Sequence, residues 1–350
     1  MVILKGTLLL LLCLSAFSLF SLKAPKGMKA MGALADAAVA TFLVEAFQSY
    51  VGGDMLHIKL LKETGLAAGG MGGAAAATLV PLALGVSPVY AVLIGASCYG
   101  LGILPGFVAG YALSFIVPII EKKVPKGLDL IVCVALVAPL ARLIGNGGAT
   151  PVVNSTLLNI GGIITVAANE SPIIMGFILG GVITVVATAP LSSMALTAML
   201  GLKGLPMAIG ALSVMGSSFM NFVLFHRLKF GDRSTTIAVA IEPLTQADVI
   251  SANPIPVYIT NFIGGGLAGI IVTHFGLINN ATGTATPIAG LMVMYGFNDP
   301  KTVTIAAVFC ALAGAFAGLL GSIVFKNYKI RTVAELRAAS EEQEIEQATA

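Results

Sequence analysis

The polar side chains that could do chemistry in this chain gather in one apolar run near its C-terminal end, residues 237–296. The run holds no Lys or Arg, so its two carboxylates have no basic partner nearby in sequence. A carboxylate at the centre of a bilayer costs about 2.5–3.5 kcal/mol, and it is retained where it faces protein, water or a ligand. The polar members of the run are Glu242, Gln246, Asp248, Asn253, Asn261, His274, Asn279 and Asn280.

Three prolines interrupt the same run. Pro243, Pro254 and Pro256 each remove a backbone donor, so no unbroken helix can pass through them without freeing carbonyl groups. Transporters build their binding sites from helices broken at membrane depth, where polar side chains and unpaired backbone groups meet. The run therefore predicts the substrate site of a membrane transport protein.

Glu242 is the first candidate for a binding residue. A carboxylate can accept two hydrogen bonds from neighbouring hydroxyl groups of a sugar or polyol. The alternative is a buried glutamate that pairs with a backbone break or with Arg142, unless Arg142 itself extends to the interface. Asp248, six residues on, either shares the site or caps a helix.

The other candidates have structural alternatives as well. Each asparagine of the run, Asn253, Asn261, Asn279 and Asn280, could instead satisfy backbone groups near Pro254 or the TGTATP turn. His274 lies on an apolar face, where a hydrogen-bonded core histidine is the commoner case.

A second polar stretch, residues 146–172, adds Asn146 and Glu170 to the candidate site. Its composition, rich in Gly and Asn, predicts a re-entrant hairpin. Glu170 is expected at the start of a helix, where the helix dipole also favours an acid.

Composition places these residues in a membrane protein. Of the 350 residues, 57% are hydrophobic and 10% are charged, and the mean hydropathy is +0.98. Soluble globular chains carry about 25% charged residues. We therefore predict an all-α, multi-pass membrane protein of roughly ten spanning helices plus one or two re-entrant hairpins.

Three regions are expected along the chain: an N-terminal transmembrane segment (1–22), a membrane domain (23–325) and a polar cytoplasmic tail (326–350). No clean small-x-small cleavage site follows the first segment, so an uncleaved span is favoured over a cleaved signal peptide. The basic loops at 121–127 and 226–234 should face the cytoplasm. In the tail, Thr332 and Glu335 have the spacing of a helix capping box.

Several classes of function find no support in the sequence. The four cysteines stand singly in apolar segments, without metal-ligand spacing. No Ser/His/Asp or Cys/His arrangement predicts a catalytic residue, and nothing predicts a metal, another cofactor or nucleic-acid binding.

The chain resembles the membrane (IIC) component of bacterial sugar phosphotransferase systems, in the branch labelled toxin regulators, and is more distantly similar to fructose-type IIC proteins. The resemblance rests on residues 106–144, residues 170–196 and the run at 237–296. Fructose-type proteins carry ITEGAIPFA, then ADP, then a Gly-rich helix. Here AIEPLTQADVISANP places Glu242 at the glutamate position and Asp248 further on, and IPVYITNFIGGGLAG matches the Gly-rich helix.

Two departures accompany the resemblance. The acidic motif is reduced to IEPLTQ, and an Asp of the fructose-type proteins is absent from ITVVATAPLSSMAL, where Thr188, Ser192 and Ser193 stand.

The resemblance implies a homodimer in the bacterial cytoplasmic membrane, in contact with its lipids. It also implies a scaffold domain and a mobile domain that carries a small sugar or polyol across the membrane by an elevator-type movement. Separate IIA and IIB proteins would deliver phosphate, since this chain has no phosphoryl-transfer residues of its own. Two other hypotheses stay open: a IIC-like sensor or regulator without group translocation, and a proton- or sodium-coupled transporter in which Glu242 or Asp248 titrates.

Overall fold

The computed structural model describes residues 2–125, 127–189 and 192–336. These residues form an all-α protein, as predicted; within them no strand forms, and a single isolated bridge joins Gly204 to Asn279. The helices are α1 (Val2–Lys23), α2 (Gly27–Met55), α3 (Lys59–Gly69), α4 (Gly72–Leu84), α5 (Pro88–Ser97), α6 (Ile103–Lys123), α7 (Leu128–Glu170), α8 (Pro172–Thr188), α9 (Ser193–Met199), α10 (Leu205–Leu228), α11 (Arg233–Ile241), α12 (Ala247–Ala252), α13 (Pro254–His274), α14 (Pro287–Met294) and α15 (Pro300–Val324).

In an N-terminal group of helices, α4 packs against α2, α5 and α6, and the first part of α7 packs against α5 and α6. Small residues allow the close approach of α4 to α6, where a Cβ on Gly106 would strike the backbone carbonyl of Gly73. The Ala-rich face of α2, with Ala30, Ala37 and Ala38 fully buried, lies on this group.

A second group holds the largest core. It joins α1, the last part of α7, α8, α10, α13 and α15. Helices α8 and α13 interlock through glycines: a Cβ on Gly269 would strike the carbonyl of Gly176, and one on Gly180 would strike the carbonyl of Gly265. The GFILGG and FIGGGLAG sequences therefore serve close helix packing.

Helices α10 and α13 run antiparallel. Gly204, just before α10, exchanges two backbone hydrogen bonds with Asn279, which follows the end of α13. Leu224 and Phe225 near the end of α10 pack with Val257 at the start of α13. The loop at 226–234 and the residues after α15 share this second end of the bundle. We call it the basic end, because His226, Arg227, Lys229, Arg233, Lys326, Lys329 and Arg331 lie there.

Among the described residues, seven helices are long and apolar enough to cross a membrane, or eight if the bent pair α3–α4 counts as one span. The sequence led us to expect roughly ten. The difference arises because α5 and α8 are apolar but short, at 10 and 17 residues, and because α7 is one helix of 43 residues.

The hairpin predicted at 146–172 is wrong, since this stretch is the continuation of α7. Gly161 serves packing in this stretch, because a Cβ on it would strike the carbonyl of Leu200, and Gly145, directly before the stretch, lies against Leu101 and Pro105. Glu170 ends this helix instead of starting one, so the expected support from an N-terminal dipole is absent.

Two further expectations are settled by contacts. Arg142 is exposed and donates through Nη1 to the carbonyl of Tyr99 at 2.6 Å, so it extends outward and pairs with none of the acids that the structure describes. The capping box at the C-terminal tail is confirmed: Thr332 N donates to Glu335 Oε2 at 2.8 Å, and Glu335 N donates to Thr332 Oγ1 at 3.3 Å.

Candidate functional site

A broken hairpin, hairpin one (Asp232–Asn253), enters the second group from the basic end. Asp232 starts it by accepting hydrogen bonds at 2.8 Å from Thr235 N and Thr235 Oγ1, which caps α11. Helix α11 then runs back along α10 and ends at Ile241. Pro243 cannot donate to a continuing helix, so the chain makes a short 3₁₀ turn over Pro243–Gln246 before α12 returns to the basic end. The tip of hairpin one is Glu242.

A second broken hairpin, hairpin two (Leu277–Asn298), enters from the opposite end. The side chain of Asn298 closes its base, accepting from Ile278 N at 2.9 Å and donating to Ile278 O at 2.7 Å. The strand-like arm is held by Asn279, whose amide accepts from Ala281 N and donates to Thr284 Oγ1, both at 2.9 Å. Helix α14 returns along α10. The tip of hairpin two is Thr286, directly before Pro287.

The two tips meet. Thr286 Oγ1 donates to Glu242 Oε2 at 3.2 Å, joining residues 44 apart in sequence. Ser193 Oγ, at the start of α9, donates to the carbonyl of Ala285 at 2.6 Å, which brings a third broken segment to the same place. Glu242 is half-buried, whereas Thr286 and Ser193 are buried. We call Glu242, Thr286, Ser193 and the Ala285 carbonyl the hairpin-tip site.

Buried hydroxyl groups are common on the elements that carry the hairpin-tip site. They can donate or accept as a ligand requires, whereas a carboxylate accepts only. Such a mixture suits a ligand that itself carries several hydroxyls. The buried hydroxyl side chains of α8, α9, α10 and hairpin two are Thr184, Thr188, Ser192, Ser193, Thr197, Ser213, Ser217, Thr284 and Thr286.

Of the residues predicted for the site, the structure places Glu242 at the junction and Asp248 on the same hairpin. Asp248 is exposed in the first turn of α12, where an acid complements the helix dipole. Its sharing of the site therefore stays a prediction.

Three predicted asparagines are fully buried and hydrogen-bonded within the protein. Asn253 donates to Val249 O and Arg331 O and accepts from Arg331 N, all at 2.8 Å, so it ties hairpin one to the tail. Asn261 exchanges side-chain hydrogen bonds with Asn221 of α10, at 2.8 and 3.3 Å. Asn279 shapes hairpin two, as described above.

The remaining four candidates are exposed. Asn146 and Glu170 lie on α7, and His274 lies in the last turn of α13 with its ring edge against Phe275. Asn280 is exposed beside the buried Asn279. No contact joins any of these four to Glu242 among the described residues.

Sequence reasoning missed Thr286 as the partner of Glu242 and Asn221 as the partner of Asn261. The sequence signal for Thr286 is its place in the TGTATP turn directly before Pro287, because Thr followed by Pro is a usual helix start. Within the described residues, no group of three His, Cys, Asp or Glu side chains could hold a metal ion.

Comparison with known families gives one match. The family described as "Phosphotransferase system, EIIC" matches residues 28–337, which covers nearly all of the chain after α1. No curated protein and no solved structure matches the chain.

Proposed function

We propose that this chain binds a small sugar or polyol at the hairpin-tip site. The chain belongs to the EIIC family of the phosphotransferase system and is a IIC-like multi-pass membrane permease component. The protein would sit in the bacterial cytoplasmic membrane, with its basic end in the cytoplasm.

The observation that carries this proposal is the meeting of two hairpins from opposite ends at Glu242 and Thr286. Each hairpin turns back inside the bundle, so each leaves backbone groups and polar side chains at membrane depth, where they are retained for a ligand or for water. The carboxylate would accept hydrogen bonds from two sugar hydroxyls, and Thr286 already holds its Oε2 in position.

The expected mechanism is an elevator-type movement. Hairpins one and two both pack on α10, so the hairpin-tip site can move with the second group as one body. The N-terminal group would serve as the scaffold of a homodimer. Helix α2 contacts α1 and α9 as well as α4, so the two groups meet along it.

Phosphate would come from separate IIA and IIB proteins. On this proposal the chain supplies binding and translocation, and the partner proteins phosphorylate the sugar once the site opens to the cytoplasm.

A binding experiment tests the site. Purified protein is titrated with a panel of sugars and polyols, and the best ligand is measured again with Glu242→Gln and with Glu63→Gln as the matched control. Glu63 lies on α3 and pairs with the exposed Lys59 at 3.6 Å. We expect Glu242→Gln to weaken binding roughly 10- to 100-fold, because a hydrogen bond to a charged group contributes about 1.5–3 kcal/mol. Unchanged binding in Glu242→Gln would remove the site assignment.

An uptake experiment in proteoliposomes tests the transport step against its rivals. The permease hypothesis predicts sugar uptake that increases when IIB and its phosphate donor are enclosed in the proteoliposomes. A IIC-like regulator would bind without any flux, and an ion-coupled transporter would show uptake that follows the pH or sodium gradient.

A further inference from the structure

A groove runs along the outer face of the second group, between α10, α11 and α14. Its cavity volume is about 530 Å³, and its wall is apolar. The side chains that form it include Met215, Phe219, Phe222, Ile237, Ile241 and Ile288. We call it the lateral groove. Five of these six side chains are exposed, which in a membrane protein means that they face lipid.

A basic pocket of about 710 Å³ continues the lateral groove at the basic end. Phe222 and Ile237 line both cavities, so the two are adjacent at these side chains. His226, Lys229 and Arg233 line the pocket, together with Asp232. The His226 ring stacks on Phe222, with centroids 6.2 Å apart and planes at 5°, at the border between the polar and apolar parts.

The cations of the basic pocket are available to a ligand. Lys229 and Arg233 are exposed, and neither forms an ion pair with another described residue. Asp232 is occupied in capping α11 through Thr235. Lys229 also adopts a left-handed conformation (φ 57°) at the end of α10, where glycine or asparagine is usual. A lysine retained at such a position places its charge at the mouth of the pocket.

We propose that the lateral groove and the basic pocket together bind an anionic phospholipid, with the phosphate headgroup at Lys229 and Arg233 and an acyl chain in the lateral groove. The positive pocket at the basic end complements a negative headgroup, and the apolar wall that begins directly behind it fits the chain. A second copy of this protein would instead bring two positive pockets together, which repel each other. Free phosphate has no apolar part that could fill the lateral groove.

The location gives the lipid a role. Ile241 forms part of the groove wall and is followed directly by Glu242, so the acyl chain packs against the helix that carries the tip of hairpin one. The bound lipid holds α11 against α10. This inference does not depend on which sugar, if any, binds at Glu242.

The test is a lipid-binding measurement by native mass spectrometry on delipidated, full-length protein. The probes are dioleoyl phosphatidylglycerol, dioleoyl phosphatidylcholine and glycerol 3-phosphate. The variants are K229Q/R233Q and, as a matched control with the same charge change at the same end, K326Q/K329Q. A third variant, A240F, fills the lateral groove and leaves the basic pocket unchanged.

We expect wild-type protein to bind phosphatidylglycerol in preference to phosphatidylcholine. K229Q/R233Q should weaken phosphatidylglycerol roughly 25-fold, from the contribution of two basic residues near an anionic headgroup. K326Q/K329Q should bind as wild type does, and A240F should lose the lipid while it keeps its helical circular dichroism.

Three results would overturn the proposal. Equal binding of the two lipids, or equal losses in K229Q/R233Q and K326Q/K329Q, would show that no specific headgroup site exists. Binding of glycerol 3-phosphate as tight as that of the lipid, unaffected by A240F, would assign the pocket to a soluble anion.

Discussion

In the pair Glu242–Thr286, a single hydroxyl group holds a carboxylate in position. The carboxylate is half-buried at the end of α11, and Thr286 Oγ1 holds one of its oxygens at 3.2 Å. A glutamate side chain has three rotatable bonds, so a fixed partner reduces the entropy lost when a ligand binds. In the proposed function, Thr286 is therefore a positioning residue for Glu242.

Replacing Thr286 tests that role. Thr286→Val removes the hydroxyl and keeps the side-chain shape, and we expect sugar affinity to fall by about tenfold, in line with the loss of one hydrogen bond to a charged group. Thr286→Ser restores the hydroxyl and should restore the affinity. Isothermal titration with the best sugar measures both variants, and a serine variant as weak as the valine variant would contradict the positioning role.

The buried pair Asn221–Asn261 is a second residue-level feature. Both side chains are fully buried and exchange hydrogen bonds between α10 and α13. We expect Asn221→Ala to lower the free energy of unfolding by about 1–2 kcal/mol, because it leaves the Asn261 amide without its partner. The double variant N221A/N261A should cost less than the sum of the single variants.

Thermal unfolding in detergent measures this cycle. Additive losses would mean that the two amides are independent. The hydrogen bonds between Asn221 and Asn261 would then contribute nothing to the free energy of unfolding.

Among the elements, the contact between α8 and α13 depends on glycine. A methyl group on Gly269 would strike the backbone carbonyl of Gly176, and a backbone carbonyl cannot move aside as a flexible side chain can. We expect Gly269→Ala to destabilise the protein by about 1–3 kcal/mol, the usual cost of overpacking.

Gly162→Ala on α7 is the matched control, because a Cβ there meets nothing within 4 Å. It should be neutral or stabilising by up to about 1 kcal/mol, since alanine favours a helix over glycine. Both variants are compared by thermal unfolding in detergent, and equal melting temperatures would show that α8 and α13 do not pack this closely.

Element boundaries also explain the wrong hairpin at 146–172. Gly and Asn residues have the same appearance in sequence whether they turn the chain or let another helix approach. Within 146–172, only the neighbour of Gly161 decides for packing, and this neighbour is Leu200, directly after α9. In 237–296 the prolines mark helix boundaries: Pro243 follows the end of α11, and Pro254 begins α13, where a missing backbone donor costs no helix hydrogen bond.

At the scale of the whole molecule, the charges indicate one orientation. The loop at 226–234 and the residues after α15 make one end basic, and basic loops stay in the cytoplasm. All four cysteines are buried, so the wild-type protein gives little background to a thiol reagent.

Single cysteines test the orientation. Ser234 is exposed at the basic end, and Lys301 is exposed at the start of α15 at the opposite end. We expect Ser234→Cys to react with a membrane-impermeant maleimide only in inverted vesicles and Lys301→Cys only in intact cells. The reverse pattern would place the basic end outside.

The sequence alone determined that this chain is an all-α membrane protein, since burial in lipid requires apolar composition and helices that satisfy their own backbone. It also singled out Glu242, because an acid without a basic neighbour in an apolar run must be compensated in some way. The tertiary structure decided what compensates it. Thr286, 44 residues away in sequence, donates to the Glu242 carboxylate, and Ser193 donates to the carbonyl of Ala285 beside Thr286. Nothing local in the sequence relates these residues to Glu242. Proline alone does not locate a break, since Pro81 and Pro118 lie inside α4 and α6. Which breaks form, and which of them meet, depends on how α8, α10 and α13 pack.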